Sequence, residues 1–345
     1  MGKSKRLTIY EVSKLAAVST ATVSRAMNAA TRQHVAPQTL EKIDALVARL
    51  SYTPHAAARH LGGSSYRTIG VVLPHRPGVF FTPYYVQVLA GIADVLLETE
   101  YQFKLVMLKM GESRWDRYDF RAGEGIDGLI VTHWPKFFSE AKVLGRLRVP
   151  CIVINDPAPH SYAYFVAGDN VMGGRLAAHH FYERGHRDLA VITGPAWSAD
   201  SRLRVHGFRS YLRTRDRRLN VTVLHGDFQQ ETGRMLALEL VREKPGVTGV
   251  FCCNDNMAVG VLNALRLARR TCPRDLSVIG YDDDPSTQTA QPPLTTVHVP
   301  LYDIAKEAAR RLVRQLKGEG RAEALAGQTL LPVKLVERAS VCVRR

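Results

Sequence analysis

Six residues in one short stretch have side chains that suit contacts with nucleic acid: Ser19, Thr20, Ala21, Thr22, Ser24 and Arg25. A threonine or alanine methyl group can pack on the methyl of thymine, and arginine can donate two hydrogen bonds to guanine O6 and N7. Serine and threonine hydroxyls can bind phosphate oxygens. A small helical domain with exposed serine and threonine would show the same spacing, so the stretch alone leaves both interpretations open.

A second group of side chains suits a polyhydroxyl ligand: Phe81, His133, Asp156, Trp197, Arg202, Phe228, Asn254 and Asp282. An aromatic ring can stack on the apolar face of a pyranose or on a base, and the polar side chains supply directional hydrogen bonds. These residues follow predicted strands, and open α/β sheets bind ligands at the carboxyl ends of their strands. The alternative for each is a core residue or a buried structural ion pair.

Three short helices are predicted around the first group. Thr8 and Glu11 form a capping box, which predicts a helix over 9–16. Ser19 can cap a second helix, and Pro37 suits the first turn of a third. The second helix therefore begins with the residues that suit DNA, as the recognition helix of a helix-turn-helix does.

From residue 66 onward, apolar strands alternate with amphipathic helices, which predicts parallel sheets covered by helices on both faces. Roughly 280 residues are more than a single doubly wound domain usually contains, so we expect two consecutive lobes with a cleft between them. Eight strands are predicted: 68–73, 103–108, 128–132, 150–154, 189–193, 221–225, 249–253 and 276–281.

The charge distribution favours a polyanionic partner. The chain has 47 Lys and Arg against 32 Asp and Glu, a formal charge of +15. Nine basic and three acidic side chains lie within the first 66 residues, so the charge is concentrated at the amino-terminal end. Such a basic region can bind nucleic acid by attracting phosphates and releasing counterions, although a soluble basic protein would show the same charge distribution.

Several classes of protein and site are not expected. The five cysteines and twelve histidines show neither a disulfide framework nor metal-ligand spacing, so no cofactor or metal is predicted. There is no phosphate-binding glycine motif, nucleophile elbow, HExxH or kinase signature, so an enzyme is not expected. No secretory h-region or apolar run of membrane-spanning length occurs, which predicts a cytoplasmic protein without membrane contact.

Two rival classes stay open at this point. A free sugar-binding protein with the same two-lobed fold would need export and would lack the amino-terminal helices. A sugar-processing α/β enzyme would turn over a sugar and would not shift an operator fragment.

The sequence closely resembles the lactose-repressor and galactose-repressor (LacI/GalR) family. The resemblance begins with Thr8-Ile9-Tyr10-Glu11-Val12, Ala17-Val18-Ser19 and Thr22-Val23-Ser24-Arg25. It continues nearly to the end through Gly168-Asp169-Asn170, Asn254-Asp255, Val278-Ile279-Gly280-Tyr281-Asp282-Asp283 and Pro293-Leu294-Thr295-Thr296-Val297. Ala17 departs from the pattern, because family members commonly carry glycine there.

The resemblance implies roles for individual residues. Thr20, Ala21 and Arg25 become the base-reading positions. Residues 54–61 become a hinge helix that folds on the operator, with Leu61 opening a base step from the minor groove. An eight-residue helix is too short to be stable alone, and an apolar wedge can kink a duplex. The alternative is that Leu61 packs on its own protein.

Further contacts are predicted on the same grounds. Asn28, His55 and Ala58 complete the DNA-contact set, although His55 replaces the usual asparagine. Four effector residues match positions that contact effectors in relatives: Arg202, Phe228, Asn254 and Asp282.

The predicted architecture is an all-α helix-turn-helix head with a hinge helix, followed by an α/β two-lobed, periplasmic-binding-protein-like effector domain with two parallel doubly wound sheets. The expected limits are 1–52 for the head, 53–66 for the hinge and linker, and 67–345 for the effector domain. Its first lobe comprises about 67–168 and 299–329, and its second comprises about 169–298 and 330–345.

The predicted function is sequence-specific transcriptional regulation, with repression of sugar-utilisation genes favoured. The expected partners are near-palindromic operator DNA, a mono- or disaccharide effector and a second copy of the chain. No catalytic residue, cofactor or metal is predicted.

Overall fold

The computed structural model describes residues 8–27, 31–50, 65–75, 78–108, 120–121, 123–132, 147, 149–155, 164–216, 219, 221–319 and 327–344. The chain divides into two compact units, residues 1–66 and 67–345. The predictions for six residues lie outside the described part of the chain: Asn28, His55, Ala58, Leu61, His133 and Asp156.

The described residues of the first unit form three α-helices, α1 (Ile9–Ala16), α2 (Thr20–Met27) and α3 (Pro37–Leu50), with a short 3-10 turn at Arg32–His34. These bounds confirm the three predicted helices. The capping box is present: the Glu11 N–H donates to Thr8 Oγ1 at 3.4 Å, and the Thr8 N–H donates to Glu11 Oε2 at 2.6 Å. A small core joins the helices and includes the buried side chains of Val12, Ala16, Val23, Ala26, Val35 and Ile43.

The turn between α1 and α2 requires a left-handed backbone. Ala17 caps α1 with φ at 55° and ψ at 41°, and its N–H donates to the carbonyls at the end of that helix. Glycine adopts this conformation without steric cost, whereas a Cβ atom is crowded there. The departure at Ala17 therefore places a strained alanine in the turn that orients α2.

The described residues of the second unit form two six-stranded sheets. One comprises β1 (Thr68–Pro74), β2 (Gln102–Leu108), β3 (Gly128–Val131), β4 (Cys151–Ile154), β5 (Tyr164–Gly168) and β11 (Gly327–Leu331). The other comprises β6 (Leu189–Thr193), β7 (Val221–His225), β8 (Gly249–Cys252), β9 (Ser277–Asp282), β10 (Thr295–His298) and β12 (Lys334–Val336). Their orders are β11-β5-β4-β3-β1-β2 and β12-β10-β9-β8-β6-β7.

Among the described strands, all pairs are parallel except the edge pair of β12 with β10. This confirms two parallel sheets and adds one antiparallel edge. Each of the eight predicted strands is present. Four strands were not predicted: β5, β10, β11 and β12. The edge strand β11 is mostly exposed, β12 has only three residues and β10 is threonine-rich, so these three lack the apolar run that marks a buried strand.

Six long helices in the described part of this unit pack on the sheets: α4 (Pro83–Leu97), α5 (Asn170–Glu183), α6 (Ala199–Arg215), α7 (Gln230–Glu243), α8 (Asp255–Leu267) and α9 (Leu301–Lys317). The helix α9 packs against α4 and the first sheet, whereas α5 packs against α6 in the second lobe. The chain therefore passes between the lobes after β5, after β10 and after β11. No described helix is long and apolar enough to cross a membrane.

Candidate DNA-reading helix and effector cavity

The helix α2 presents most of its predicted DNA contacts to solvent. Ser19, Thr20, Ala21, Ser24 and Arg25 are exposed, and Thr22 is half-buried. On the opposite face, Val23 and Ala26 are buried in the small core. An exposed face of small side chains and one guanidinium, anchored by a buried apolar face, can enter a major groove.

Two of the predicted phosphate contacts also serve the helix itself. The Thr22 N–H donates to Ser19 Oγ at 3.1 Å, which makes Ser19 the N-cap of α2. The Ser19 and Thr22 hydroxyls lie 2.9 Å apart and share a hydrogen bond. Thr20, Ala21, Ser24 and Arg25 are thus the residues whose side chains are most available to a ligand.

A cavity of about 430 Å³ lies between the lobes of the second unit. The first lobe contributes Pro74, Phe81, Thr82, Pro83, Tyr84 and Tyr85. The second lobe contributes Trp197, Ser198, Asp200, Arg204, Asp227, Phe228, Gln229, Gln230, Asn254, Asn256, Val259, Asp282, Asp284 and Ser286. Strand ends and helix starts supply this lining, as expected for α/β sheets.

The cavity brings together five of the predicted effector residues: Phe81, Trp197, Phe228, Asn254 and Asp282. Arg202 is not among the lining residues. Its side chain is exposed and donates to the Ala196 carbonyl at 2.9 Å. The prediction for Arg202 is corrected to Arg204, because two residues rotate a helix by about 200° and turn the side chain to the other face.

Arg204 is buried, with 7% of its surface exposed. Its Nε donates to Asn170 Oδ1 at 2.8 Å, and its Nη1 donates to the Cys253 carbonyl at 2.6 Å. Nη1 also lies 3.6 Å from Asp282 Oδ1, and the guanidinium stacks 3.8 Å above the ring centre of Tyr281. Burial alone would lower the pKa of Arg204, but the nearby carboxylate of Asp282 holds it above its usual value. The guanidinium therefore stays charged.

Two aspartates at the end of β9 have unusual environments. Burial raises the pKa of Asp282, while the charged guanidinium of Arg204 opposes this rise and favours the carboxylate form. Burial and the adjacent carboxylate of Asp283 raise the pKa of Asp284 to about 6. Asp282 and Asp283 also have positive φ angles, 113° and 62°. A backbone in this region costs free energy for residues other than glycine, and such strain clusters at functional sites.

Asn254 supports the cavity wall through local hydrogen bonds. Its Oδ1 accepts the Met257 N–H at 3.0 Å and caps α8, and its Nδ2 donates to the Phe228 carbonyl at 3.1 Å. Asn256 donates to the same carbonyl at 2.9 Å. Phe228 has a positive φ of 70°, and a Cβ atom at Gly194 would lie 2.2 Å from its ring. These contacts fix the position of the aromatic ring.

Tyr84 is a cavity residue that the sequence did not reveal. Its hydroxyl donates to the Thr132 carbonyl at 2.9 Å and accepts from Asn155 Nδ2 at 3.0 Å. Burial raises the pKa of Tyr84 well above its usual value, so the hydroxyl stays protonated. The position of Tyr84 in the first turn of α4, after β1, is the one signal that could have revealed it.

Comparison with known proteins decides the family. Residues 8–55 match the model for bacterial regulatory proteins of the lacI family, and residues 178–341 match a periplasmic binding protein-like domain. The transcriptional regulator CelR of Thermobifida fusca is 31% identical over 100% of this chain and 99% of its own length. This chain belongs to the LacI family.

Solved structures of LacI-family members share the fold over their whole length. The Lac repressor dimer bound to operator and the anti-inducer ONPF is 27% identical, with a TM-score of 0.79 over 98% of this chain and 100% of that one. The complex of CelR with cellobiose is 29% identical, with a TM-score of 0.71 over 97% and 100%. The chain is therefore a transcriptional regulator with a helix-turn-helix head, and its homologues are regulators and not enzymes.

Proposed function

We propose that this LacI-family regulator is a cytoplasmic repressor of sugar-utilisation genes. It binds a near-palindromic operator as a homodimer, and a mono- or disaccharide in the cavity controls its operator affinity. The observation that carries the proposal is the cavity itself, which combines the aromatic rings of Trp197 and Phe228 with carboxylates, amides and one charged guanidinium. Polyhydroxyl ligands need both stacking surfaces and directional polar groups.

Solved structures of relatives support both parts of this proposal, operator binding by a dimer and sugar binding in the cavity. The Lac repressor dimer is solved on its operator, and CelR is solved with cellobiose. A two-fold symmetric dimer fits an operator whose half-sites are related by the same symmetry.

Each proposed site residue has a stated role. Thr20, Ala21 and Arg25 contact base edges, while Ser19, Thr22 and Ser24 contact the backbone. The residues outside the described part keep the roles expected from the sequence: Asn28, His55, Ala58 and Leu61 toward DNA, and His133 and Asp156 toward the effector. The limits proposed for the head, hinge and effector domain remain 1–52, 53–66 and 67–345.

The position of the cavity between the lobes suggests how a bound sugar would control operator affinity. A ligand that contacts both lobes favours one relative position of the lobes over another, and it shifts that equilibrium by its difference in affinity for the two states. The coupling is reciprocal, so the operator weakens an inducer as much as the inducer weakens operator binding. The hinge of residues 53–66 would carry this change to the head.

The test begins with selection of a preferred duplex from a random pool and footprinting upstream of the chain's own gene. A panel of mono- and disaccharides is then screened for a rise in Tm, because a ligand that binds only the native state stabilises it. We expect a protected palindrome and one sugar that both raises the Tm and changes operator affinity. Absence of any protected palindrome, with every sugar tried, would overturn the proposal.

The variant Asp282→Ala links the cavity to the response. We expect it to abolish the change in operator affinity on adding the sugar, while operator binding without sugar is retained. Glu239→Ala, at an exposed position in the same lobe that does not line the cavity, is the matched control. An unchanged sugar dose curve in Asp282→Ala would remove this residue from the site.

A further inference from the structure

The second-lobe wall of the cavity is acidic. Four carboxylates line it, those of Asp200, Asp227, Asp282 and Asp284, and Arg204 is the single arginine or lysine among the described lining residues. An anionic ligand entering this space would meet more like charges than opposite ones. Like charges in a partly desolvated site repel more strongly than in water.

The charge of Arg204 is already compensated. Its guanidinium lies 3.6 Å from Asp282 Oδ1, and both side chains are largely buried. Drawing Arg204 toward a phosphate would leave the Asp282 carboxylate without its partner, which is costly in a buried position. Donors of Arg204 that remain available can instead serve a neutral hydroxyl or ring oxygen.

Two of the three helix N-termini at the second-lobe wall are capped by side chains of the chain itself, and α7 has no side-chain cap. Ser198 caps α6 by accepting the Ser201 N–H at 3.2 Å, and Asn254 caps α8 in the same way. The first turns of α6, α7 and α8 each carry an acidic residue of the chain: Asp200, Glu231 and Asp255. A carboxylate in the first turn of a helix offsets the attraction of the helix dipole for an external anion.

The helix α4 of the first lobe differs from these three helices in the charge of its first turn. The first turn of α4 has no acidic residue, but its first position is Pro83, which has no N–H to donate. Aromatic side chains, Phe81, Tyr84 and Tyr85, accompany it in the cavity lining. The described first-lobe lining therefore offers aromatic ring surfaces, and the proline removes one N–H from the start of α4.

From these features we infer that the cavity selects an uncharged sugar and rejects sugar phosphates and sugar acids. The inference rests on the proposed function, since it names the chemical class of effector within the same site.

The experiment uses the full chain and matched ligand pairs. Each neutral sugar of the panel is titrated beside its phosphate ester and its uronic acid, for example glucose, glucose 6-phosphate and glucuronate. We expect the neutral member of one set to bind at least tenfold more tightly than its anionic counterparts. Raising the salt concentration should narrow that gap, because ions screen repulsion between partly exposed charges.

The double variant Asp227→Asn, Asp284→Asn removes two wall charges with little change of shape. Its control, Asp188→Asn with Glu239→Gln, removes two charges from exposed positions of the same lobe that do not line the cavity. We expect the cavity variant to reduce the neutral-to-anionic affinity ratio at least threefold and the control to leave it unchanged. Asp227→Asn alone, at the exposed rim, serves if the double variant does not fold.

The outcomes separate the two proposals. Tighter or equal binding of a phosphate or uronate by the wild-type chain overturns the inference and leaves the sugar-responsive function intact. An equal neutral-to-anionic affinity ratio in the cavity variant and the control variant also overturns the inference, since the charge of the cavity wall would then play no part. Failure of every neutral and anionic sugar to bind overturns the proposed function, and the inference with it.

Discussion

The residues proposed to contact DNA and those proposed to contact the effector are arranged in opposite ways. The described DNA-contact residues lie within seven consecutive positions, 19–25, at the start of one helix. The cavity lining extends from Pro74 to Ser286 and comes from several strand ends and helix starts. A single local pattern is enough to identify the first set, whereas an error of two positions removes a residue from the second.

The two units also differ in how their functional residues are supported. The first unit has a small core built from three short helices. The second has a core that runs through both sheets and the helices around them. Damage to the small core should therefore disable DNA binding as a whole, while damage in the large unit should depend on the individual contact that is lost.

The largest expected difference is in the loss of stability caused by substituting two neighbouring arginines, Arg202 and Arg204. Arg204→Met should lower the free energy of unfolding by about 3–5 kcal/mol, because it leaves the buried Asp282 carboxylate without its partner. It should also abolish the sugar response. Arg202→Met, at an exposed position, should change stability by no more than about 0.5 kcal/mol. Urea unfolding measures both, and equal losses would contradict the burial of Arg204.

A core substitution tests whether the small unit fails as a whole. Ile43 is fully buried, so Ile43→Ala should cost the first unit about 2–5 kcal/mol and abolish operator binding. The rise in Tm on adding the sugar should persist, because the cavity lies within the second unit. Glu41→Ala, on the exposed side of the same helix, is the control and should retain operator binding. Loss of the ligand-induced Tm rise in Ile43→Ala would show that the units do not behave separately.

A smaller effect is expected at the recognition helix. Arg25→Ala should weaken binding to the selected operator roughly 5- to 150-fold, the discrimination of one bidentate contact to guanine. Affinity for random duplex should change little in comparison. Titrating wild type and variant with the selected and the random duplex, at one salt concentration, measures both affinities. An equal loss on both would assign Arg25 to the phosphate backbone.

The smallest effect concerns the turn between α1 and α2. Ala17→Gly should raise the stability of the first unit by up to about 1 kcal/mol, because glycine adopts a positive φ without strain. The same change in the interior of α3, at the exposed Ala45→Gly, should lower stability by about 1 kcal/mol, since that backbone is already helical. Thermal unfolding of the two variants would show opposite signs. A loss of stability in both would contradict the strain assigned to Ala17.

The sequence alone determined the features that depend on local pattern. The capping box at Thr8 and Glu11, the cap at Ser19 and the proline at 37 located three helices, because these signals act within one turn. Apolar runs located eight strands and, by their alternation with helices, the parallel sheets. The recognition helix followed from the order of residues after Ser19.

Only the tertiary structure decided which side chains face the cavity. Arg202 and Arg204 have the same chemistry and stand two positions apart, and α6 carries further arginines that blur its periodicity. Arg204 is the buried one because its face of α6 packs against Asn170 and the Cys253 carbonyl, residues distant in the sequence. The roles of Tyr84 and of the raised pKa at Asp282 were decided in the same way, since burial depends on elements that meet only in the folded chain.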